Sequence, residues 1–367
     1  MEARCTQCGK AADPNLICAC GGVPEFDAPE TRIDPAGLRR LLRDRRASYE
    51  PLFASGVWRL RELLPPIPPD AVVSLGEGNV PLYDSPHGAR YAGIDCLSYL
   101  HLGMNPTGSF KDLGMTVAMS AVRASGACAV VCASTGNTAS SMAAYASRAQ
   151  LASYAVVPRG RVSDAKLAQM REYGVTLVEV DGSFDDAFAS IARFEDAVVV
   201  NSINAYRIEG QKCAALLLLE LRGWRVPDWV VLPGGNLGNV SALAKGFREA
   251  LALGLIDRLP RLGLVRAARG IETTASAIAV ASPKSAERAQ RELRRFNGID
   301  IAIEDRDILA AKSCIGREGI GCEPASAASL AGVCALRRSS VIRPEDDVVA
   351  ILTGHVLKDA RGAMDAA

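Results

Sequence analysis

Residues 128–158 read CAVVCASTGNTASSMAAYASRAQLASYAVVP, and this stretch decides the fold class. A Val-rich apolar run at 128–133 is followed by a segment of helical length and then by a second apolar run at 151–158. Short apolar strands that alternate with helices predict a mostly parallel sheet with helices on both faces. Ligands bind such sheets where strands end and helices begin, so the polar residues at 134–141 are the first candidates for a site.

The same alternation continues through most of the chain. Further apolar runs are VTLVEVDG at 175–182, AVVVNSI at 197–203, DWVVLPGG at 228–235 and DDVVAILTG at 346–354. Segments of helical length, such as GQKCAALLLLELRG at 210–223, lie between them. At 367 residues the chain is long for a single core, so we expect an α/β protein with two lobes.

Charge and composition disfavour two classes of partner. Lys and Arg number 42 and Asp and Glu 41, so no one-signed field exists to attract nucleic acid or an acidic membrane. No apolar run is long enough to span a bilayer, and the N-terminus MEARCTQCGK lacks the apolar core of a signal peptide. Eleven cysteines then predict reduced thiols or metal ligands in a cytoplasmic protein, and not a disulfide framework.

Four cysteines lie within the first twenty residues, in CTQC at 5–8 and CAC at 18–20. Two short knuckles that bring four thiolates together suit a tetrahedral zinc site, although the second knuckle has one intervening residue where two are commoner. The site would be structural, since four thiolates leave no open position for chemistry. The alternative is a leader of free thiols. The expected zinc ligands are Cys5, Cys8, Cys18 and Cys20.

A glycine-rich turn, GGNLGN at 234–239, follows the strand DWVVLP. Three glycines within five positions let the backbone approach a phosphate closely, and the N-terminus of the next helix favours anions. The G-x-G-x-x-G spacing of dinucleotide sites is absent, as are the G-x-x-x-x-G-K-[ST] loop of nucleotide hydrolases and the G-x-S-x-G elbow of acyl transfer. The turn therefore predicts a phosphate site of another kind.

Lys111 lies in NPTGSFKDLGM, residues 105–115, a turn-rich segment that opens a helix. A lone lysine is nearly always a solvated surface charge. A lysine that follows the apolar Phe110 near a helix N-terminus would instead be partly desolvated, which favours the neutral amine that Schiff-base chemistry needs. A phosphate cradle and a Schiff-base lysine in one chain indicate pyridoxal 5′-phosphate, the cofactor that needs both.

Seven motifs, in order along the chain, resemble those of threonine synthase, a family of pyridoxal-phosphate enzymes with the tryptophan-synthase-β-like fold. They are SLGEGNVPLY (74–83), NPTGSFKDLGM (105–115), STGNTASS (134–141), NSINAYRIEGQK (201–212), GGNLGN (234–239), CEPASAASLAG (322–332) and TGHVLKD (353–359). The resemblance covers roughly residues 70 to 359. The cysteine knuckles are similar to the zinc-ribbon-type leader of some members.

The resemblance implies fold type II among pyridoxal-phosphate enzymes. That fold has two three-layer α/β/α lobes with mostly parallel sheets, here preceded by a small zinc-ribbon-like leader. The expected boundaries are a leader at 1–30, a large cofactor-binding lobe at 31–103 and 204–367, and a smaller mobile lobe at 104–203. A homodimer is usual for this fold and is expected here.

For the cofactor, the resemblance implies a role for each position that matches a family motif. Lys111 would hold the cofactor as a Schiff base and move protons, and Asn137 would hydrogen-bond its 3′ oxygen. Thr353 would face the pyridine nitrogen. The cofactor phosphate would lie on the backbone amides of Gly234, Gly235, Asn236, Leu237, Gly238 and Asn239.

For the substrate, the resemblance implies two groups of residues. Asn201, Ser202 and Arg207 match the family's substrate-phosphate site, where an arginine with short polar side chains makes sense as an oxyanion clamp. The alternative for Arg207 is a surface salt bridge. The substrate carboxylate and neighbouring groups would be held by Ser134, Thr135 and Thr138.

The implied reaction converts O-phospho-L-homoserine and water to L-threonine and phosphate. Lys111, freed from the cofactor, would remove the α proton, a β proton would follow, phosphate would leave Cγ and water would add at Cβ. The departing phosphate, held near Arg207, is a plausible local acid or base.

Several positions depart from the family pattern, and they leave the substrate open. Val80 replaces a hydroxyl residue, the chain is shorter than usual across 263–275, Ala281 stands where glycine is common, and Val356 replaces a glycine. A second hypothesis is therefore β- or γ-replacement on another phosphorylated or activated amino acid, as in cysteate synthase, which uses phosphoserine and sulfite. A third is a non-catalytic zinc-containing binding protein, against which the presence of Lys111 counts.

Overall fold

The structure, a computed structural model, describes residues 1–31, 33–160 and 164–359. Its strands are β1 Ala3–Cys5, β2 Pro24–Phe26, β3 Leu82–Asp84, β4 Cys96–His101, β5 Ala129–Ala133, β6 Ala152–Pro158, β7 Thr176–Val180, β8 Ala197–Val199, β9 Trp229–Pro233, β10 Arg261–Ala267, β11 Ile299–Ile303 and β12 Asp347–Leu352. Its α-helices are α1 Pro35–Arg46, α2 Pro86–Ala92, α3 Lys111–Ser125, α4 Asn137–Ala149, α5 Asp164–Glu172, α6 Phe184–Ala189, α7 Ala205–Leu221, α8 Gly238–Ala252, α9 Ala286–Arg295, α10 Asp305–Gly316 and α11 Pro324–Arg338.

The chain forms two compact units, and neither is one continuous stretch. The first comprises residues 1–79, 105–107 and 111–213, and the second comprises residues 80–104, 108–110 and 214–367, of which 360–367 lie outside the described residues. The first unit takes in residues 31–79, which the sequence assigned to the larger lobe. The predicted lobe boundaries, and the mobility of the smaller lobe, stay predictions.

The first unit contains a four-stranded parallel sheet in the order β7–β6–β5–β8. Successive side chains of a strand point to opposite faces, and in β5 both faces are buried. Val130 and Cys132 pack in one cluster with α3 and α4, whereas Val131 and Ala133 pack in another with α6. A continuous apolar run is therefore what this strand requires, because helices cover the sheet on both sides.

The second unit contains a six-stranded sheet in the order β11–β10–β9–β12–β4–β3. All neighbours in it are parallel except the edge strand β3, which runs antiparallel to β4. In the central strand β9, Trp229 and Val231 join the cluster built on α10 and α11, while Val230 and Leu232 are equally buried on the other face. The predicted α/β class with mostly parallel sheets is confirmed.

The leader is a short antiparallel pair, β1 and β2, joined by the two cysteine knuckles. Ala3 and Phe26 from this pair pack against Ala205 at the start of α7. Across the part of the chain that the structure describes, no helix is both long and apolar enough to cross a membrane.

Candidate active site

In each compact unit, two of the candidate motifs follow neighbouring parallel strands. In the first unit, residues 134–141 follow β5 and residues 201–207 follow β8, which pairs with β5. In the second unit, residues 234–239 follow β9 and residues 353–359 follow β12, which pairs with β9. Carboxyl ends of parallel strands meet at one edge of a sheet, so each sheet brings two motifs together where α/β proteins bind ligands.

Lys111 is the first residue of α3, and the loop before it is tied at several points. Thr107 donates both its N–H and its hydroxyl to the carboxylate of Asp112, at 2.7 and 2.6 Å. Upstream, Asn105 Oδ1 accepts the N–H of Gly78 at 2.8 Å. Lys111 itself is half-buried, so it stands on a fixed first turn and not on a solvated surface loop.

Asp112, which the sequence analysis did not single out, is a fully buried carboxylate next to Lys111 in the chain. Besides the two bonds from Thr107, it accepts the hydroxyl of Ser141 at 2.6 Å. Burial outweighs these hydrogen bonds and, together with the negative charge of Glu77, raises the pKa of Asp112 to about 6. The only sequence signal was an acidic residue in the first turn of a predicted helix, which the helix dipole alone would explain.

The STGNTASS motif forms the turn from β5 into α4. Gly136 is the N-cap residue of α4, and no side chain caps the helix there. Ser134 Oγ instead accepts the N–H of Gly136 at 3.1 Å, and a Cβ placed on Gly136 would meet nothing within 4 Å. Thr135 and Thr138 are half-buried beside this turn, and Asn137 is buried. An open, uncapped helix N-terminus lined by hydroxyl groups is suited to an anion.

Arg207 lies in the first turn of α7 and is completely buried. Its Nη1 donates to the carbonyl of Val200 at 2.9 Å, whereas Nε and Nη2 have no hydrogen-bond partner among the residues that the structure describes. Burial lowers the pKa of Arg207 to about 10, against the opposing influence of Cys132 and Asp112. Within the described residues Arg207 makes no ion pair, so the alternative of a surface salt bridge is wrong. A buried guanidinium with two unused donors is built to receive an anion.

Asn201, which matches the family's substrate-phosphate site in sequence, is hydrogen-bonded to the end of β5. Its Oδ1 accepts the N–H of Ala133 at 3.0 Å, and its Nδ2 donates to the carbonyl of Ala133 at 2.9 Å. Each end of its amide is therefore engaged with the end of β5, which fixes the two strand ends beside each other. Ser202, the next residue, is half-buried.

The GGNLGN turn joins β9 to α8 in the second unit. Leu237, just before the helix, adopts a left-handed backbone with φ of 60°, and the first turn of α8 has neither a side-chain cap nor an acidic residue. Gly234 donates its N–H to the carbonyl of Val265 at 2.7 Å, so this amide is occupied, contrary to its expected role as a phosphate donor. Asn239 Oδ1 is buried and accepts no hydrogen bond from any residue that the structure describes.

Close packing explains the first two glycines of this turn. A Cβ on Gly234 would lie 2.7 Å from Leu264 Cδ1, and one on Gly235 would lie 2.9 Å from the carbonyl oxygen of Ala277. Neither position has space for a side chain, so the backbone itself forms the surface of the turn.

Thr353 follows β12 and is buried, with its hydroxyl 3.2 Å from Ser326 Oγ. Ser326 Oγ also accepts the N–H of Gly354 at 2.8 Å, which fixes both residues. The carbonyl of Thr353 accepts the N–H of Phe110, the residue before Lys111, at 2.9 Å. Ser326 was missed from the sequence, although it lies in a quoted motif, because its role depends on a contact 27 residues away in the chain.

The four leader cysteines converge. The Sγ atoms of Cys5, Cys8, Cys18 and Cys20 all lie within 4.8 Å of one another, with Cys5 and Cys20 at 3.4 Å and Cys8 and Cys18 at 3.8 Å. A tetrahedral zinc ion with sulfur at about 2.3 Å needs sulfur pairs about 3.8 Å apart, so the donor set fits zinc. A Cβ on Gly22 would lie 2.5 Å from Cys5 Sγ, which explains the glycine there.

The chain is similar to known proteins over most of its length. Residues 73–354 match the family model described as pyridoxal-phosphate dependent enzyme. The threonine synthase of Methanocaldococcus jannaschii is 38% identical, over 100% of this chain and 95% of that protein. The chain belongs to the threonine synthase family of pyridoxal-phosphate-dependent enzymes.

A second curated threonine synthase is similar over most of the chain, and more distant solved structures share the fold. The threonine synthase of Synechocystis is 41% identical over 82% of each chain. Among solved structures, threonine deaminase isoform 2 from Solanum lycopersicum has a TM-score of 0.67 at 18% identity, covering 94% of this chain and 98% of that one. Maize serine racemase has a TM-score of 0.65, also at 18% identity, covering 91% and 96%. At such identities the structural likeness shows the fold alone.

The residues present fit the cofactor of the family. The uncapped first turn of α8 offers backbone N–H groups that have no acceptor within the helix, and this turn contains no acidic residue that would repel a phosphate. Thr353 supplies a buried hydroxyl, and Lys111 supplies an amine on a fixed turn.

Two of the departures from the family pattern are accommodated by local packing. Val356 replaces the usual glycine at a backbone position that is not left-handed, so glycine is not required there. A Cβ on Gly321 would lie 2.6 Å from Val356 Cγ1, so the glycine at 321 leaves space for the valine side chain. Val80, another position that departs from the family pattern, is buried. After β10 the shortened segment holds only two single helical turns, at 270–272 and 276–278, before α9.

Proposed function

We propose that the chain converts O-phospho-L-homoserine and water to L-threonine and phosphate. The observation that carries the proposal is Arg207, a completely buried arginine with two unused donor nitrogens in a chain whose relatives are threonine synthases. Leaving such a group without an anion is costly, and a phosphorylated substrate supplies the anion.

We assign the cofactor residues from the family motifs. Lys111 would hold pyridoxal phosphate covalently, Asn137 would donate to or accept from its 3′ oxygen, and Thr353 would lie near its pyridine nitrogen. The phosphate donors begin at Gly235 and continue through Asn239, since the Gly234 amide is bonded to Val265. When bound, the cofactor supplies an electron sink that makes protons next to the amino-bearing carbon removable.

The substrate residues divide between two strand ends of the first unit. The uncapped N-terminus of α4, with Ser134, Thr135 and Thr138, receives the substrate carboxylate. Arg207 and Ser202 receive the substrate phosphate, and Asn201 holds the two strand ends in register for them.

Two of these side chains take part in the chemistry. Lys111 Nζ would take the proton from the substrate α carbon. The Arg207 guanidinium stabilises the phosphate as the bond to Cγ breaks, since the charge on the leaving group grows in that step. Water then adds at Cβ.

A second candidate is β- or γ-replacement on another phosphorylated amino acid, with a nucleophile other than water, as in cysteate synthase. Two observations favour this candidate: the segment after β10 is shortened, and Val80 and Val356 differ from the family pattern. The cofactor motifs with Lys111 and GGNLGN are retained, so the differences fall on the substrate side. A non-catalytic binding protein is disfavoured by Lys111 on its fixed turn.

A substrate panel separates these readings. Purified chain loaded with the cofactor should release phosphate from O-phospho-L-homoserine and form threonine. Phosphate release without threonine, together with turnover of O-phospho-L-serine and sulfite, would favour the second candidate. No turnover of any phosphorylated amino acid would contradict both.

We also propose zinc at the four leader cysteines, a homodimer and a cytoplasmic location. The converging thiolates support zinc. The cytoplasmic location rests on the cysteine content of the sequence, eleven residues, which is typical of proteins in a reducing compartment when no export signal is recognised. The homodimer rests on what is usual for the fold. The two lobes, with the smaller one mobile, are likewise proposed from the family fold.

A further inference from the structure

The cysteine leader contacts the chain segment that carries Arg207. Pro14 accepts the N–H of Ala205 on its carbonyl oxygen at 2.7 Å. Asn15 Oδ1 accepts a hydrogen bond from Asn204 Nδ2 at 2.9 Å. Asn204 and Ala205 are both completely buried, so these contacts are shielded from water. The leader thereby supplies an acceptor to the first turn of α7, a position at which a helix has no internal acceptor for its N–H groups.

Asn204 joins three parts of the first unit at this point. Its Nδ2 also donates to the carbonyl of Val199 at the end of β8, at 3.0 Å, and its Oδ1 accepts the N–H of Tyr206 at the same distance. Its backbone carbonyl accepts the N–H of Arg207 at 3.2 Å. The position of Arg207 therefore depends directly on the position of Asn204.

The loop that carries Pro14 and Asn15 is held at both ends by cysteines. Cys8 precedes it and Cys18 follows it, with their sulfur atoms 3.8 Å apart. Phe26 of the leader adds a ring contact with Tyr206, at 4.9 Å between centroids. A metal ion on the four thiolates would fix both ends of this loop at once.

We propose that the leader is a metal-dependent positioning element for the anion site at Arg207. Zinc fixes the loop 9–17, the loop fixes Asn204 and the start of α7, and the start of α7 holds the guanidinium in place for the substrate phosphate. The proposal rests on the proposed function in one respect, that the anion bound at Arg207 is the substrate phosphate. Asn15 is then a positioning residue that acts through Asn204.

The first test leaves every cysteine and Arg207 in place. In the cofactor-loaded protein, Asn15→Ala should raise the Kd of inorganic phosphate and the KM for O-phospho-L-homoserine by about three- to tenfold, the range expected for one lost hydrogen bond. The kcat should fall by a smaller factor than the phosphate Kd rises, because Arg207 also stabilises the departing phosphate. Asn15→Asp, which keeps the acceptor oxygen, should restore both values. Leu16→Ala, at the exposed neighbouring residue, is the control and should leave them unchanged.

The second test removes the metal. The purified protein should contain zinc, and Cys8→Ser should lose it. Removal of zinc by a chelator should raise the phosphate Kd of the wild type at least as far as Asn15→Ala does. In Asn15→Ala, removal of zinc should raise the phosphate Kd little further, because both changes disrupt the same contact between the leader and Asn204.

The outcomes separate this inference from the function on which it rests. If Arg207→Ala weakens phosphate binding while Asn15→Ala and zinc removal do not, the positioning role is wrong and the anion site stands. If Arg207→Ala leaves phosphate binding unchanged, the anion site itself is wrong. Should zinc removal unfold the protein, the Asn15→Ala measurement decides, and an unchanged phosphate Kd there contradicts the proposal.

Discussion

At the scale of single residues, Arg207 and Asp112 are two charged side chains that are completely buried in the first unit. Each keeps its charge at a cost in desolvation, but their surroundings differ. Asp112 accepts hydrogen bonds from Thr107 and Ser141, whereas two nitrogens of Arg207 have no partner within the described part of the chain. A satisfied buried carboxylate orders its surroundings, and an unsatisfied buried arginine is prepared for a ligand.

Replacement of Arg207 tests the anion site. Arg207→Ala should raise the KM for a phosphorylated substrate by about 100-fold, since charge-assisted hydrogen bonds contribute roughly 1.5–3 kcal/mol each. Arg207→Lys should give a smaller loss, because lysine keeps the charge without the two-pronged geometry. Arg159→Ala, at an exposed arginine of the same unit, is the matched control. Steady-state kinetics would contradict the assignment if Arg207→Ala and Arg159→Ala behaved alike.

Asp112 predicts a specific pH dependence of stability. Its pKa is about 6 in the folded chain against an ordinary 3.8, so the folded chain retains a proton that the unfolded chain has already released. Its contribution to stability is therefore fully present below about pH 4 and is lost as the pH rises through about 6. Asp112→Asn removes this titration, so the wild type should lose up to roughly 3 kcal/mol relative to the variant across that range.

Urea unfolding of both proteins at a series of pH values measures that difference. Glu77 and Arg207 act on Asp112 electrostatically and remain in both proteins. Asp186→Asn gives a control of opposite sign, because hydrogen bonds from Ser183 lower the pKa of Asp186. Its contribution should be lost as the pH falls. A wild-type stability that rises relative to Asp112→Asn between about pH 4 and 6 would contradict the account.

At the scale of elements, two helices position Lys111 and Arg207. Lys111 begins α3 and Arg207 lies in the first turn of α7. The helices touch through glycines: a Cβ on Gly210 would lie 1.9 Å from the carbonyl oxygen of Leu113, and one on Gly114 would lie 2.6 Å from that of Arg207. The absence of side chains at these two positions lets the two first turns approach.

Gly210→Ala tests this contact. The added methyl group has no space, so the variant should lose about 3 kcal/mol of stability, the upper range for overpacking a well-packed core. It should also lose activity, because the first turns of α3 and α7 must separate. Gly316→Ala, at the last residue of α10, meets nothing within 4 Å and should be neutral or slightly stabilising. Equal melting temperatures for the two variants would show that the close contact does not exist.

At the scale of the whole molecule, the chain passes between the compact units repeatedly near Lys111. Residues 105–107 belong to the first unit, 108–110 to the second, and 111 to the first again. The segment before Lys111 is therefore built from both units, and neither unit can be isolated by a simple truncation. Binding of a cofactor at Lys111 should stabilise the whole chain.

Thermal unfolding tests this expectation. Pyridoxal phosphate should raise the melting temperature of the wild type by several degrees, since a ligand that binds only the folded state stabilises it. Lys111→Ala should show a smaller rise and should lack the visible absorbance of a lysine-bound cofactor. Lys10→Ala, at an exposed lysine, should match the wild type. If the wild type is colourless and its melting temperature does not change when pyridoxal phosphate is added, the assignment of Lys111 is wrong.

The alternation of strands and helices was predictable because each element has a local signal, a short apolar run or a segment of helical length and spacing. The apolar runs at 128–133 and 151–158 became β5 and β6, and the polar turn between them became the start of α4. The convergence of the four leader cysteines was predictable in the same way, from two short spacings.

The roles of single residues were less accessible, because they depend on partners distant in the chain. Asn201 matches a clamp motif in sequence, but its amide is engaged by Ala133. Gly234 lies in the expected turn, but its amide is bonded to Val265. The burial of Arg207 and of Asp112, and the contact of Asn204 with the leader, likewise come from packing that no local pattern encodes.

The most direct test of the central claim is the yield of products from O-phospho-L-homoserine with the cofactor-loaded enzyme. We expect threonine and inorganic phosphate in equal amounts, with neither formed by Lys111→Ala. Phosphate without threonine, or turnover that appears only when another amino acid and another nucleophile are supplied, would contradict it.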